Sequence, residues 1–421
     1  MEPLVIRGFC LTLHKRSSQV IHQELLSIDL SDTVWIAIAV AAAAALYLLC
    51  VMLRRVNRVV STAKSQTYEV DEDITSVSYP PVSVVVYSQN DASGLGWLIP
   101  EIFEQDYPGD FEVIVVNDEE SESTDDIVNE LSLSYPSLKL TFSPQHSRNL
   151  SRRKLALTLG IKAAKYDNIL FTSGCCRLKS KQWLSAMARH FAEGKEVVLG
   201  YSAVVGTDGV DSDKQLLRRT YDTAFTSARW INSALAGKPV RGIFCNLGYK
   251  RSLFFQHRGF SNSLSIFYGD DDIFISEIAD EDNCAVEISE QSIVEFRDTM
   301  PAYIHEVDNV RRAFTSRFTS RAGNRLFGSF STAAWVWLIA TAAACVSSWP
   351  STVVGIASLL ICIVLWLPMI LRWRKMCRVL GLPSMALSMP VMMLWHPFYN
   401  ARIKLKAMRR KSRNYTWGAL H

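Results

Sequence analysis

Two runs without a charged side chain, residues 33–53 and 326–371, constrain this 421-residue chain more than any other feature. At 1.5 Å per residue the first run makes about 30 Å of helix, the thickness of one bilayer core. It lies between Asp32 and Arg54, and Arg54–Arg55 follow it with no small-residue cleavage pattern, so a transmembrane helix fits better than a cleaved leader. The second run is interrupted near its middle by Ser347, Ser348, Trp349, Pro350 and Ser351, which predicts two spans, 329–348 and 352–371, joined by a tight turn. A third uncharged stretch, 379–401, carries Gly381, Pro383, Pro390 and Pro397, too many helix breakers for a single span.

The Lys and Arg residues that flank these runs predict the orientation. Arg54, Arg55, Arg58 and Lys64 follow the first span closely, Arg317, Arg321 and Arg325 precede the second, and Arg372, Arg374, Lys375 and Arg378 follow the third. All three clusters fit one cytoplasmic side, with residues 1–32 outside. Seven bases between Arg402 and Arg413 follow the last apolar stretch, so 384–400 is expected to be re-entrant or interfacial, with 402–421 a basic cytoplasmic tail against anionic headgroups. Nine scattered cysteines, including the pair Cys175–Cys176 and no zinc-like spacing, fit a reducing compartment.

Between the spans lie about 270 residues. After an expected linker over 54–79, strand-like and helix-like segments alternate. VSVVVY at 82–87 and EVIVV at 112–116 are continuous apolar, β-branched runs of the kind buried on both faces of a parallel sheet. Further strands are expected at 138–142, 168–172 and 197–201. Helices are expected at 95–105, 123–133 (capped by Ser123 or Thr124), 152–164 and 181–191. Repeated βαβ units imply an α/β domain, a mostly parallel twisted sheet with helices on both faces. Such sheets bind ligands at the carboxyl ends of their strands.

Net charge is only +4 (45 Lys plus Arg against 41 Asp plus Glu), which does not point to a nucleic-acid partner. The charge is nevertheless segregated: residues 71–130 hold sixteen acids and no Lys or Arg, and residues 131–195 hold twelve bases and two acids. Either the two blocks attract each other within the fold, or the basic block, with Arg152, Arg153 and Lys154, faces an anionic ligand. Beyond 213–236, a long helix, and 241–250, a loop and strand, the run Gly269–Asp270–Asp271–Asp272 opens a short helix at 273–279. Acids at a helix N-terminus have an ordinary dipole explanation, and a metal site or general base needs the same groups.

The segments PPVSVVVYSQND, QDYPGDFEVIVVND, KLALTLGIKAAKYDNILFTS and GDDDIFI occur in that order. Over about residues 80–320 they resemble the inverting family-2 glycosyltransferases, whose catalytic domain has the GT-A fold; residues 80–325 are expected to form that domain. With the flanking spans, the chain is similar to the membrane-bound members related to cellulose, chitin and hyaluronan synthases. The resemblance implies that Asp118, Asn90 and Asp91 border the nucleoside of a nucleotide-diphosphate sugar and that Lys154 lies near the donor. It implies Asp271 as the base that deprotonates the acceptor hydroxyl, supported by Asp270. The acceptor is expected to be a cell-surface glycan or a lipid-linked acceptor.

Two departures stand out. Where the family carries Asp-x-Asp for Mg²⁺ or Mn²⁺ bridging the diphosphate, this chain has Ser173–Gly174–Cys175, and hydroxyl and thiol are poor ligands for a hard cation. Either Arg177, Lys179 or Lys154 neutralises the diphosphate instead, or Mg²⁺ or Mn²⁺ is held mainly by the diphosphate and one other acid. Where the family carries Gln-x-x-Arg-Trp, only Arg311 and Arg312 remain, on the acceptor or diphosphate side, without the tryptophan. Three functions compete: an active transferase, a non-catalytic donor-binding or scaffold subunit of a glycan-assembly complex, and a transporter. The few spans and the absence of acids within them weigh against the last.

Overall fold

The computed structural model describes residues 32–73, 78–89, 92–118, 121–143, 151–206, 213–298, 302–347, 352–383 and 386–409. The expected segment 1–32 therefore lies almost wholly outside the described residues, as do residues 410–421. Among the described residues two compact units are present: those between 52 and 329 with those between 370 and 409, and those between 32 and 51 with those between 330 and 369.

The larger unit holds the α/β domain. In chain order it has β1 Val82–Ser88, α2 Ala92–Phe103, β2 Phe111–Asn117, α3 Glu122–Ser132, β3 Leu138–Phe142, α4 Arg152–Ala163, β4 Asn168–Ser173, β5 Cys176–Leu178, α5 Trp183–Ala192, β6 Val197–Gly200, β7 Ser202–Gly206, α6 Asp213–Ala234, β8 Leu247–Lys250, α7 Arg251–Gln256, α8 Ile273–Ile278, β9 Cys284–Glu287, β10 Val294–Asp298 and α9 Ala302–Thr315. Helix α1, Asp32–Asp73, precedes them, and α10 Arg321–Ser347, α11 Thr352–Val379 and α12 Met389–Arg409 follow. Seven strands form one sheet in the order β3-β2-β1-β4-β8-β6-β9, in which only β8 runs antiparallel to its neighbours. The expected α/β, mostly parallel architecture is therefore present. A second sheet, β5-β10-β7, was not expected, because strands of three to five residues carry almost no periodic signal.

All seven residues of β1 are buried, because helices cover both faces of the sheet. One face sends Val82, Val84 and Val86 into a core with Leu98, Ile99, Ile102, Trp183 and Met187. The other face is so close to α4 that a Cβ on Gly160 would stand 2.7 Å from Val85 Cγ1 and 2.8 Å from Val116 Cγ2. The charge blocks pair within the fold through Lys139–Glu112 (2.6 Å), Arg177–Glu101 (2.5 Å) and Lys181–Glu104 (3.8 Å). Helix α3 starts at Glu122, with Ser121, two or three residues before the expected Ser123 or Thr124, at its N-cap.

A buried ionic cluster closes the far end of the sheet. Glu287, 0% exposed, receives Arg189 Nη2 at 2.9 Å and the Ser289 N–H at 2.8 Å, with His190 Nε2 2.8 Å away. Burial alone would raise this carboxyl, but the bonds from His190 and the Arg189 charge hold it down at about 2.

Residues 54–73 correct the expected linker: α1 is helical to Asp73. Val56, Val59, Val60 and Ala63 share one helical face and are buried; Gln66 Nε2 donates to Val286 O at 2.6 Å, and Gln66 Oε1 accepts from the Ile288 N–H at 3.0 Å. An apolar stripe plus a glutamine that pairs a strand end makes this segment part of the domain. At the other end, α12 runs nine residues past Asn400, so 402–409 is helix rather than tail. Its Ile403 and Ala407 pack with Ile266, Ile273, Val310 and Phe314.

In the smaller unit, Ala334, Trp337, Ala340 and Ala344 form a buried stripe on α10, while Val336, Ile339 and Val346 are exposed. Helix α10 covers residues 329–347 of the first expected span, residue 348 lying outside the described residues, and the second, 352–371, falls within α11. Among the described residues, one helical stretch, Ile38–Thr67, is long and apolar enough to cross a membrane, and Ser331–Ser347 is a shorter apolar helix.

Candidate active site

The carboxyl ends of β1, β2 and β4 meet at Tyr87, Asp118 and Ser173, as parallel pairing in register requires. Asp118 is 1% exposed; its N–H donates to Ser88 O at 3.0 Å, and Tyr87 Oη donates to its Oδ2 at 2.6 Å. Its Oδ1 has no hydrogen-bond donor among the described residues, and Arg152 Nε lies 3.6 Å away. Arg152 also donates through Nη2 to the Asp118 carbonyl. A buried carboxylate oxygen without a hydrogen-bond donor costs about 1–3 kcal/mol. Asn90 and Asp91 lie outside the described residues.

The loop after β4 is held by backbone and is nearly without charge. Ser173 Oγ and the Gly174 N–H both donate to Tyr87 O, at 3.2 and 3.0 Å, and Cys175 Sγ lies 3.4 Å from Ser173 Oγ. A Cβ on Gly94 would stand 2.1 Å from Gly174 O, so only glycine lets α2 approach this loop. The donor set does not fit a divalent cation: a hydroxyl already bonded to a carbonyl and a thiol replace two carboxylates. Among the described residues no group of three His, Cys, Asp or Glu side chains is placed to hold a metal. Arg177 and Lys179 are engaged elsewhere, with Glu101 and Glu295 at 2.5 Å each. Lys154 is 1% exposed, and its Nζ donates to Ser263 O (2.6 Å), Ser263 Oγ (2.9 Å) and Ile266 O (3.1 Å), which uses all three protons inside the fold. Burial pushes this ammonium down to about 8 despite Asp270 and Asp272.

Three consecutive acids before α8 have three different environments. Gly269, at φ 111°, makes the turn into them. Asp270 faces Arg153 Nη2 at 2.9 Å, and the Arg153 guanidinium lies 4.0 Å from the centroid of the Phe244 ring. Burial raises the Asp270 carboxyl above the usual range, against Arg153. Asp271 faces Arg312 Nη2 at 3.3 Å, and the Gly242 N–H donates to its backbone carbonyl at 2.7 Å. Burial opposes its charge, but Arg312, Arg153 and Arg241 together hold it below the ordinary carboxylate range. Asp272 caps α8: its Oδ1 accepts the Ile273 N–H at 2.6 Å and its Oδ2 accepts the Thr315 hydroxyl. Burial and the Asp271 charge push Asp272 up to about 6. Arg311 turns away, to Asp308 at 2.7 Å and over the Tyr268 ring at 3.7 Å, so of the two arginines on α9 only Arg312 meets the acids.

Two cavities flank the Asp271–Arg312 pair. One, of about 240 Å³, is lined by Arg153, Arg241, Phe244, Cys245, Asp271 and Arg312 among others. The other, of about 290 Å³, takes Asp272 instead of Asp271 and lies among α6, α9 and α12. Arg241 and Arg312 border both. Asp222 on α6 also borders both; it accepts from Asn309 Nδ2 at 2.7 Å, with His305 Nε2 at 2.9 Å and His396 Nε2 at 3.3 Å. Sequence reasoning missed Asp222, Arg241, His305 and Asn309, which sit in helices or loops with no motif of their own.

Residues 83–255, about two fifths of the chain, match the model of glycosyl transferase family 2; the match ends before Asp270. A β-monoglucosyldiacylglycerol synthase of Synechocystis sp. is 35% identical over 69 residues, 16% of this chain and 14% of that protein. A mannosyltransferase from Pyrobaculum calidifontis, solved with GDP-Man and Mn²⁺, superposes with a TM-score of 0.50 at 18% identity over 87% of this chain and 99% of its own. The TarS 1–349 structure from S. aureus gives 0.39 at 15% identity, over 79% of this chain and 91% of its own. The chain thus carries a glycosyl transferase family 2 domain with the α/β fold shared by that mannosyltransferase.

Proposed function

We propose that this protein is a membrane-bound inverting glycosyltransferase that moves a sugar from a nucleotide-diphosphate sugar to a cell-surface glycan or lipid-linked acceptor. The observation that carries the reading is Asp271: a carboxylate kept ionised by three arginines, on the wall of a cationic cavity that also takes in Arg153. Asp118, with its open Oδ1, holds the nucleoside, supported by Asn90 and Asp91, and the Ser173–Gly174–Cys175 loop lies beside it. In the reaction Asp271 takes the proton of an acceptor hydroxyl as that oxygen attacks the anomeric carbon. The bond from that carbon to the diphosphate oxygen breaks with its electron pair going to the nucleoside diphosphate. Attack from the opposite face inverts the configuration. Arg153, Arg241 and Arg312 supply positive charge for the leaving group. An arriving diphosphate competes with Asp271 for Arg312, and the released carboxylate becomes a stronger base.

The Lys and Arg flanking the apolar runs support a domain on the cytoplasmic face of the cell (inner) membrane, with α1, α10 and α11 as spans and α12 at the interface. Asp271→Asn tests the chemistry: transfer is abolished and nucleotide binding persists, whereas unchanged transfer removes Asp271 as the base. A second reading, a non-catalytic donor-binding or scaffold subunit, is favoured by the uncharged Ser173–Gly174–Cys175 loop. Saturable nucleotide binding without turnover over many donors and acceptors would establish it.

A further inference from the structure

The 290 Å³ cavity on the Asp272 side has no part in the chemistry described so far. Five cationic side chains line it: Arg229, Arg241, Arg312, Arg317 and Lys404. Its two acids are already engaged within the protein. Asp222 takes Asn309 and the imidazoles of His305 and His396, which hold it far below the carboxylate range although burial opposes this. Asp272 takes Thr315 and the α8 N-terminus, and is partly neutralised by its raised pKa. The cavity is therefore an excess of guanidinium and ammonium groups around a space of ligand size, in low-dielectric walls that strengthen their field. Of its uncharged lining groups, the Asn309 and Asn324 amides already donate to Asp222, Tyr399, Ser316 and Thr319, whereas the Tyr399 hydroxyl accepts from Asn309 and keeps its own proton as a neutral donor. Arginine forks with neutral donors are the arrangement that recognises phosphate oxygens. The cations run from the inner wall, where Arg229 is 7% exposed, to the rim, where Arg317 and Lys404 are exposed. The rim helix α12 is one that the apolar pattern assigns to the membrane interface.

We propose that this cavity binds a phosphate group, carried by the acceptor, and that it is separate from the nucleotide site. As an assignment to the acceptor it rests on the transferase reading; as an anion site it does not. Phosphate held here lies against Arg241 and Arg312, the two cations shared with the Asp271 cavity. An adjoining sugar hydroxyl then faces Asp271 past them.

The experiment uses the full chain in a neutral detergent and measures binding of dodecyl phosphate, inorganic phosphate and, as a neutral amphiphile, dodecyl maltoside, with a nucleoside diphosphate measured in parallel. Wild type binds dodecyl phosphate saturably and at least about tenfold more tightly than the maltoside. The double variant Arg317→Gln/Lys404→Gln weakens that binding at least about tenfold and leaves nucleoside diphosphate affinity in place. Both residues are exposed, so the fold tolerates the change, and Lys404→Glu alone gives the same direction. Dodecyl phosphate binding well above inorganic phosphate assigns a lipid-borne group; equal affinities assign a soluble phosphate ester. Dodecyl phosphate binding no better than maltoside, or unchanged by the variants, overturns the proposal. Phosphate binding without any sugar transfer faults the transferase reading and leaves this site standing.

Discussion

Two buried clusters of acid and arginine sit in the same domain and have opposite consequences. Around Glu287, one carboxylate meets Arg189, His190 and the Ser289 N–H, and it borders neither of the two cavities. Around Asp270–Asp271–Asp272, three adjacent carboxylates meet three different partners, their pKa values are pushed in different directions, and open space adjoins them. Composition alone does not separate the two. A cluster whose charges and hydrogen bonds close on themselves beside packed side chains stabilises the fold. A cluster with surplus cations beside a cavity is available to a ligand.

Substitutions can break this comparison. The largest expected effect is Asp271→Asn, which lowers transfer by about 10²–10⁴-fold, the usual contribution of a general base, with the thermal midpoint nearly unchanged. Glu287→Gln does the reverse: it costs about 3 kcal/mol of stability, read by denaturant unfolding, because Arg189 is left buried against a neutral amide. The pH dependence of the wild type should carry the same mark. The Glu287 pKa is lowered on folding, so its contribution is complete above about 4.5 and is lost as pH falls towards 2. His190 is raised on folding, so its contribution is present below 6.5 and lost as pH rises through its folded value. An unfolding profile that is flat between pH 5 and 2.5 would contradict the Glu287 assignment.

Asp118→Ala should weaken nucleoside diphosphate binding by about tenfold or more, measured by titration, since a buried charge-assisted hydrogen bond contributes about 1.5–3 kcal/mol. Arg312→Gln is subtler. It removes the nearest charge that keeps Asp271 low, so the Asp271 pKa rises and the acid limb of transfer moves to higher pH, as well as the rate falling. A rate loss with no movement of that limb would leave Arg312 a purely structural residue. The smallest effect is expected from chelation: with a hydroxyl and a thiol at the Ser173–Gly174–Cys175 loop, EDTA changes nucleotide affinity by less than about threefold.

The parallel half of the fold was readable because buried strands must be continuous apolar runs; β1 is buried at every position, and its sequence is VSVVVYS. The small β5-β10-β7 sheet and helix α9 were not, since short strands and a mixed-polarity helix owe their form to tertiary contacts. The site divided the same way. Asp118 and Asp271 were singled out by resemblance, and the fold places the first at a strand end and the second on a cavity wall. Lys154 shared that pattern, yet its ammonium is enclosed by Ser263 and Ile266, partners more than a hundred residues away. Arg241 and Asp222 matter only because the fold brings them beside Arg312, and no local spacing encodes that.

The central claim is that the Asp271 cluster turns over a nucleotide sugar rather than merely binding one. The direct measurement is a donor screen on membranes containing the full chain, reading nucleoside diphosphate released with wild type and with Asp271→Asn. The account predicts release from at least one donor by wild type, and none by a variant that still binds the nucleotide. Nucleotide binding by both proteins with release by neither, across all donors and acceptors, would contradict it.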